Sequence, residues 1–198
     1  MSKGLITTLI VVAGILIVVF GFVSWGTGVY DTAIKKQGVV KQAWGNVQAM
    51  YQRRADLIPS LVATVKGAAE NEKSILVQVT QARAGIVNAT TPEELDRAGK
   101  QINTAINLAF EAYPQIKSTE NFQELQVELT GSENRIAVAR ERYNEAVDGE
   151  EGYNTYVQGY FKSMALGFFG KGKDFSMKKG FESAEGSDVA PKVDFSTK

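Results

Sequence analysis

Histidine and cysteine are both absent from the 198 residues of this chain. Their absence excludes Ser-His-Asp hydrolysis, cysteine nucleophiles, His-Glu-x-x-His zinc sites and the histidine ligands of di-iron bundles. The sequence also lacks a phosphate loop completed by Lys-Ser or Lys-Thr, and a Gly-x-Gly-x-x-Gly turn. Asp148, Glu150 and Glu151 cluster, but glycines flank them, which is typical of a solvated turn. We therefore predict no enzymatic activity and no catalytic, cofactor-binding or metal-binding residues.

Acidic and basic residues are equally frequent, with 22 of each. A nucleic-acid-binding surface favours a concentrated excess of Lys and Arg. We therefore predict no nucleic-acid partner. The lack of cysteine does not identify the compartment, because a chain without disulfides suits a reducing and an oxidising environment equally.

One uncharged segment runs from Leu5 to Trp25, and Leu, Ile, Val and Phe make up most of its 21 residues. A helix needs about 20 apolar residues to cross the ~30 Å hydrocarbon core of a bilayer. A cleaved signal peptide is the alternative, but its apolar core is shorter, about 7–15 residues, and is followed by a small-x-small cleavage site. We therefore predict an uncleaved single-pass anchor over residues 5–25 and a lipid bilayer as a partner.

A heptad pattern follows this segment and keeps one phase from Val40 to Ile86. Of its fourteen positions, twelve are apolar or aromatic. The positions are Val40, Trp44, Val47, Tyr51, Arg54, Ile58, Leu61, Val65, Ala68, Glu72, Ile75, Val79, Ala82 and Ile86. The pattern predicts a long helix, from about Val29 to Ile86, with one buried seam. Because Pro59 cannot donate a backbone hydrogen bond, we expect a kink near residues 52–55.

Two further helices follow in the sequence. Thr91-Pro92-Glu93-Glu94 is typical of a helix start, and Tyr113-Pro114 of a helix end, which predicts a helix over residues 92–112. Ser118 or Thr119 begins a third helix with a seam of Phe122, Leu125, Leu129, Ser132, Ile136, Ala139, Tyr143 and Ala146. This helix is interrupted at residues 148–152. An unbroken continuation would overshoot the shorter return helix, so we favour a chain reversal there over burial of the overhang by a second copy.

These elements predict an all-α fold, with an N-terminal transmembrane helix followed by an antiparallel, up-and-down bundle of about three to four long helices. We expect a short leader over residues 1–4, the anchor over 5–25, the bundle over 26–168 and a polar, Gly/Lys/Phe-rich tail over 169–198. This arrangement leaves more apolar seam than one chain covers, especially between Tyr30 and Tyr51. We therefore predict homo-oligomerisation through the seam residues Val40, Trp44, Val47, Tyr51, Arg54, Ile58, Leu61 and Glu72.

Two charged residues occupy seam positions. Arg54 and Glu72 are about 27 Å apart on one helix, so they cannot pair within one chain. They either specify the register or oligomeric state, or lie at the edge of the seam and extend to water.

The end of the chain mixes lysines and phenylalanines. Lys171, Lys173, Phe175, Lys178 and Lys179 are candidates for a patch that binds lipid headgroups or a partner. The alternative is a glycine-rich loop whose aromatic side chains fill the open end of the bundle.

Several longer motifs carry a family resemblance. They are Ala43-Trp-Gly-Asn-Val47, Tyr51-Gln-Arg-Arg-Ala-Asp-Leu-Ile-Pro-Ser-Leu-Val-Ala-Thr-Val-Lys-Gly67, Val79-Thr-Gln-Ala-Arg83, Ala112-Tyr-Pro114, Glu120-Asn-Phe-Gln-Glu-Leu-Gln126, Glu133-Asn-Arg-Ile-Ala-Val-Ala-Arg-Glu-Arg-Tyr-Asn-Glu-Ala-Val147, Tyr153-Asn154 and Pro191-Lys-Val-Asp-Phe195. With these motifs the chain resembles the bacterial LemA family over nearly all of its length beyond the anchor. It departs from the family pattern in the longer, glycine-bracketed spacer at residues 148–152 and in Phe161-Lys162, where the family tends to have Phe-Pro.

The resemblance implies a single-pass protein of the bacterial inner membrane with a helical body. It implies no agreed molecular activity, so no catalytic residues are carried over. Lys35, Lys36 and Lys41 mildly favour a cytoplasmic body, and both sides of the membrane stay open. Our leading hypothesis is a non-enzymatic scaffold that self-associates and presents a helical head to partners or to the membrane surface. The alternative is an accessory subunit of a membrane protease or signalling complex, which would bind a membrane-protein partner.

Overall fold

The structure is a computed structural model that describes residues 3–66, 73–112, 120–170 and 172–182. Within these ranges the chain is helical apart from turns and a short extended segment, and it contains no strand. The helices are α1 (Lys3–Asp56), α2 (Ile58–Lys66), α3 (Lys73–Asn88), α4 (Pro92–Ala112), α5 (Glu120–Asp148), α6 (Tyr153–Val157) and α7 (Tyr160–Phe169). The all-α class is confirmed. The helix count of the bundle and its up-and-down order stay a prediction.

The chain divides into two compact units. Unit 1 comprises Met1–Arg54 and Glu128–Lys179, and unit 2 comprises Ala55–Val127 and Gly180–Lys198. Several sequence expectations lie outside the described residues: Glu72, the Tyr113-Pro114 helix end, the Ser118 or Thr119 cap, Lys171 and the tail beyond residue 182.

Helix α1 begins at Lys3 rather than near Val29 and ends at Asp56, so the described part of the helix predicted over residues 29–86 is divided among α1, α2 and α3. The apolar segment and the first heptads are one continuous helix. The helix ends at Asp56, with Leu57 between α1 and α2, so the interruption lies just after the predicted kink at residues 52–55. Its cause is Pro59, which cannot donate to the carbonyl of Ala55. The helical hydrogen bond from Leu61 N–H to the Leu57 carbonyl, at 3.1 Å, forms immediately afterwards.

In unit 1, α1 and α5 pack in opposite directions. Arg54 pairs with Glu133, and the Trp44 ring lies 5.5 Å from the Tyr143 ring. Beyond the end of α5, Lys36 Nζ donates to the carbonyl of Glu151. From Arg54 to Trp44 and then to Lys36, α1 steps back by ten and eight residues. The partner positions, 133, 143 and 151, step forward by the same numbers. This constant register identifies an antiparallel pair with one continuous line of contact.

The chain does not reverse at residues 148–152, so that prediction is wrong. Beyond this turn it continues along α1 towards the N-terminus of α1: the Tyr156 hydroxyl lies 3.4 Å from the Val29 carbonyl, and the Phe169 ring lies 5.9 Å from that of Phe22. The length argument failed because α1 does not begin near Val29. Its earlier turns extend far enough to pair with everything up to Phe169.

The chain turns back only beyond Gly170. Gly172 has φ +77°, a left-handed conformation that favours glycine, and Lys173 N–H donates to the Gly170 carbonyl at 2.9 Å. Residues 172–182, the C-terminal segment, then return without helical structure. Phe175 meets Tyr30 at 5.8 Å between ring centroids, and Gln37 Nε2 donates to the Asp174 carbonyl at 3.3 Å.

In unit 2, the amino terminus of α4 forms the predicted capping motif. Glu94 N–H donates to Thr91 Oγ1 at 3.2 Å, while Glu94 Oε2 accepts from the backbone N–H groups of Thr90 and Thr91 at 2.8 and 3.3 Å. The helix begins at Pro92, as predicted, and its last described residue is Ala112. Its buried face consists of Leu95, Ala98, Ile102, Ala105 and Ile106. Helix α3 packs on this face, and its Gly85 lies close to Ala98.

The Glu94 carboxylate makes unit 2 pH-sensitive. Hydrogen bonds from Thr90, first from its backbone N–H and then from its hydroxyl, lower the pKa of Glu94 below its ordinary value. Its stabilisation is present above the ordinary Glu pKa and is lost as pH falls through the lower folded pKa. We expect Glu94→Gln to flatten the decline in the free energy of unfolding across that acidic window, measured by denaturant titration at several pH values. Glu111→Gln, at the other end of α4, is the control and should retain the wild-type pH profile.

Candidate interaction surfaces

The predicted seam residues are covered within a single chain. Val40, Val47, Tyr51, Ile58 and Leu61 are buried, and Trp44 is half-buried against Tyr143. On α5, the predicted seam from Phe122 to Tyr143 is also buried, and its last position moves from Ala146 to Val147. The stretch that we expected to stay open, Tyr30 to Tyr51, therefore buries its heptad positions inside the molecule. The role of these residues in oligomerisation stays a prediction.

Arg54 has a partner in its own chain. The residue is only 5% exposed, and Nη1 forms an ion pair with the half-exposed carboxylate of Glu133 on α5. It does not lie at a solvated edge of the seam, so the alternative in which it extends freely to water is wrong. Arg54 Nε is buried without a hydrogen-bond partner. A buried guanidinium with one partner favours the single register that brings Glu133 to it.

A shallow groove lies beside this pair in unit 1. Its volume is about 510 Å³, and it is lined by Ala43, Asn46, Met50, Asn134, Arg135, Val138, Ala139 and Arg142. The apolar residues of this lining are Ala43, Met50, Val138 and Ala139, and Val138 is 45% exposed. Arg135 and Arg142 lie at the surface of α5 beside it. The groove offers an apolar contact bordered by positive charge.

Asn154 holds the C-terminal segment to the helices of unit 1. Its Oδ1 accepts from Lys178 N–H at 2.8 Å, and its Nδ2 donates to the Lys178 carbonyl at 2.8 Å and to Asp148 Oδ1 at 2.7 Å. Tyr143 adds a hydrogen bond from its hydroxyl to the Lys179 carbonyl at 3.0 Å. Asn154 is 2% exposed, so these bonds are shielded from water. Asn154 and Tyr143 therefore hold the C-terminal segment through the backbone of residues 178 and 179.

The candidate basic patch is partly used inside the chain. Lys173 lies 5.5 Å from the Tyr30 ring centroid and Lys178 lies 5.9 Å from that of Tyr153, while Phe175 packs edge-on against Tyr30. Lys179 is exposed. These contacts agree with aromatic residues that fill one end of the helices. Binding of lipid or a partner by the patch stays a prediction.

Two groups near the C-terminal segment have shifted pKa values. Burial, and secondarily the charge of Asp174, raises the pKa of the Tyr153 hydroxyl, which has no hydrogen-bond partner. Hydrogen bonds from Ser176, first its backbone N–H, lower the pKa of Asp174. Among the described residues, no group of three Asp or Glu side chains has the geometry to hold a metal ion.

The LemA family profile matches residues 43–195, about three quarters of the chain. The chain belongs to the LemA family. It is also similar to the protein named LemA from Metamycoplasma hominis, with 26% identity over 115 residues, which cover 56% of this chain and 52% of that protein. The chain thus spans about half the length of this curated relative.

Sequence reasoning missed three features of these surfaces. It did not find Glu133 as the partner of Arg54, because the pair joins helices far apart in the sequence. It considered Asn154 only as part of a family motif, because the hydrogen bonds of Asn154 to Lys178 join positions far apart in the sequence. It also missed the close approach of Gly26 to Phe169, where a Cβ on the glycine would overlap the ring.

The ion pair is tested by a double-mutant cycle with Arg54→Met and Glu133→Gln. We expect a coupling energy within the range of about 0.5–3 kcal/mol that contacting residues show, because each variant removes the same partner-specific interaction. Denaturant titration of the detergent-solubilised chain, followed by tryptophan fluorescence, provides the free energies of unfolding. The matched cycle with Arg53→Met, at an exposed neighbour, should show no coupling. Equal couplings in the two cycles would contradict the pairing.

The hold on the C-terminal segment is tested with Asn154→Ala. The variant removes both hydrogen bonds to Lys178, and leaving such buried groups unsatisfied costs about 1–3 kcal/mol. We expect much faster amide exchange at Lys178 and Lys179, measured by hydrogen–deuterium exchange. Thr155→Ala, at the exposed neighbouring position, should leave that exchange slow. Unchanged protection in the Asn154 variant would show that other contacts hold the segment.

Proposed function

We propose that this chain is a non-enzymatic scaffold of the bacterial inner membrane that self-associates and presents its helical body to partner proteins. The observation that carries the proposal is the continuity of α1, which joins a lipid-compatible segment to a packed body. The most apolar 18-residue window of this helix has a mean hydropathy of 2.9, and none of it is buried. The body therefore needs no separate linker to be held at a membrane.

Self-association needs apolar surface that the single chain leaves uncovered. The inner seam is occupied by α5, so a second copy has to add to the outer side of the same two helices. Val39 on α1 and Val138 on α5 are 54% and 45% exposed, and the groove beside Val138 offers further apolar surface.

Charge supports the same arrangement of copies. Anchors that cross one membrane align neighbouring bodies side by side and in the same direction. At 1.5 Å per residue, Arg142 of one copy then lies at nearly the height of Glu145 of the next. Both residues belong to α5 and both are exposed, so opposite charges meet across such a contact.

Self-association is tested by sizing the full-length chain in lipid nanodiscs by mass photometry. We expect a defined oligomer, and we expect Val138→Glu to reduce its size, because a charge on the groove floor opposes burial of that surface. Ala137→Glu introduces the same charge on the same helix outside the groove lining and should preserve the oligomer. Circular dichroism of both variants checks that the helices remain.

A monomer at all concentrations would contradict the scaffold proposal. If an unrelated membrane protein then co-purified with the monomer in a fixed ratio, the chain would instead be an accessory subunit of a protease or signalling complex. The two outcomes are distinguished by mass spectrometry of the purified sample.

A further inference from the structure

Helix α7 presents a large apolar face to its surroundings. Tyr160, Phe161, Met164 and Phe168 are 74%, 69%, 61% and 76% exposed, whereas Ala165 and Leu166 on the opposite side are buried. At 3.6 residues per turn, the four exposed positions fall within an arc of about 100°. Large contiguous apolar surfaces of this kind mark contact with a partner or a membrane.

The position of α7 identifies the medium that this face meets. Its last residue, Phe169, packs on Phe22 with 5.9 Å between ring centroids and lies directly against Gly26. Phe22 and the neighbouring Trp25 are the last aromatic residues of the membrane-spanning segment. Trp at such a position favours the headgroup layer of the bilayer. The carboxyl end of α7 is therefore fixed at the depth where α1 leaves the hydrocarbon core.

The charges of α7 suit the same location. The helix contains no Asp or Glu, and its one charged residue is Lys162. Lys162 Nζ lies 4.2 Å from the ring centroid of Tyr156, on the side of α7 that faces the protein. The exposed arc is therefore free of charge. Interfacial helices likewise turn an uncharged, apolar face towards the lipid chains.

We infer that α7 is an interfacial membrane helix, which lies in the leaflet where α1 emerges and inserts Phe161, Met164 and Phe168 among the lipid chains. The chain thus contacts the bilayer twice, through the spanning part of α1 and through the exposed face of α7. From Gly172 onwards the chain returns towards the body. This inference requires only that α1 spans the membrane, and it is independent of self-association.

The absence of cysteine makes a direct test straightforward, because each introduced cysteine is the only one in the full-length chain. Nitroxide labels are attached to Phe161→Cys and Phe168→Cys in nanodiscs of phosphatidylethanolamine and phosphatidylglycerol. Val19→Cys, in the spanning segment, provides the lipid reference, and Glu141→Cys, on the exposed surface of α5, provides the aqueous reference. Collision with oxygen, which partitions into lipid, and with a water-soluble nickel chelate is measured by electron paramagnetic resonance.

We expect the ratio of oxygen to nickel accessibility at positions 161 and 168 to exceed that at 141 several-fold and to approach that at 19. A ratio equal to that at 141 would place the face in water and overturn the inference. Low accessibility to both reagents, with dipolar broadening between labels, would assign the face to a second copy of the chain and would overturn it equally.

A pair of glycine variants tests why α7 lies at this depth. A side chain at Gly26 would overlap the Phe169 ring, whereas a Cβ at Gly28 would meet nothing within 4 Å. In the Phe168→Cys background, Gly26→Leu should lower the oxygen-to-nickel ratio, and Gly28→Leu should leave it unchanged. If the Gly26 variant keeps the full ratio, the contact with α1 does not position the helix and that step of the inference fails.

Discussion

This structure depends on the continuity of one helix, α1, whose first part suits a lipid environment and whose later part packs against protein. The first part of α1 is apolar around its whole circumference, as lipid requires, and from Gly26 onwards one of its sides is buried against protein. Because no loop separates the two parts, the direction of the anchor determines the direction of the body. Any rotation of α1 about its axis in the membrane also rotates the surface that the body presents.

The second part of α1 commits its seam to α5 in one register. Apolar side chains alone tolerate a slip of one heptad, because the pattern repeats every seven residues. Arg54 does not tolerate it, since a slip would separate a buried guanidinium from Glu133 and leave a buried charge unpaired. The polar position in the seam thus acts inside the chain in the way that polar positions specify alignment between chains in coiled coils. The heptad pattern predicted that α1 packs against another helix, but it did not identify that helix as α5.

Local signals explain which parts of the fold could be predicted. The start of α4 follows from Thr91, Pro92 and Glu94, because the hydrogen bonds between Thr91 and Glu94 form within one helical turn. The seam of α5 follows from its periodicity. In contrast, the direction of the chain after Asp148 depends on how far α1 extends and on distant contacts such as that between Tyr156 and Val29. The candidate surfaces were equally hard to predict, because the exposed face of α7 resembles a core seam in sequence and only its position beside Phe22 distinguishes the two.

The short segments after Asp148 make the membrane end of unit 1 a closed arrangement rather than a loose tail. Helices α6 and α7 continue along α1 towards the N-terminus of α1, and Gly172 adopts the left-handed conformation after them. Asn154 and Tyr143 then hold the returning segment by hydrogen bonds. Each part restrains the next: Phe175 covers Tyr30, and Phe169 occupies the space that Gly26 leaves open. The chemistry concentrated at that end is aromatic and cationic, which is the chemistry that lipid interfaces select.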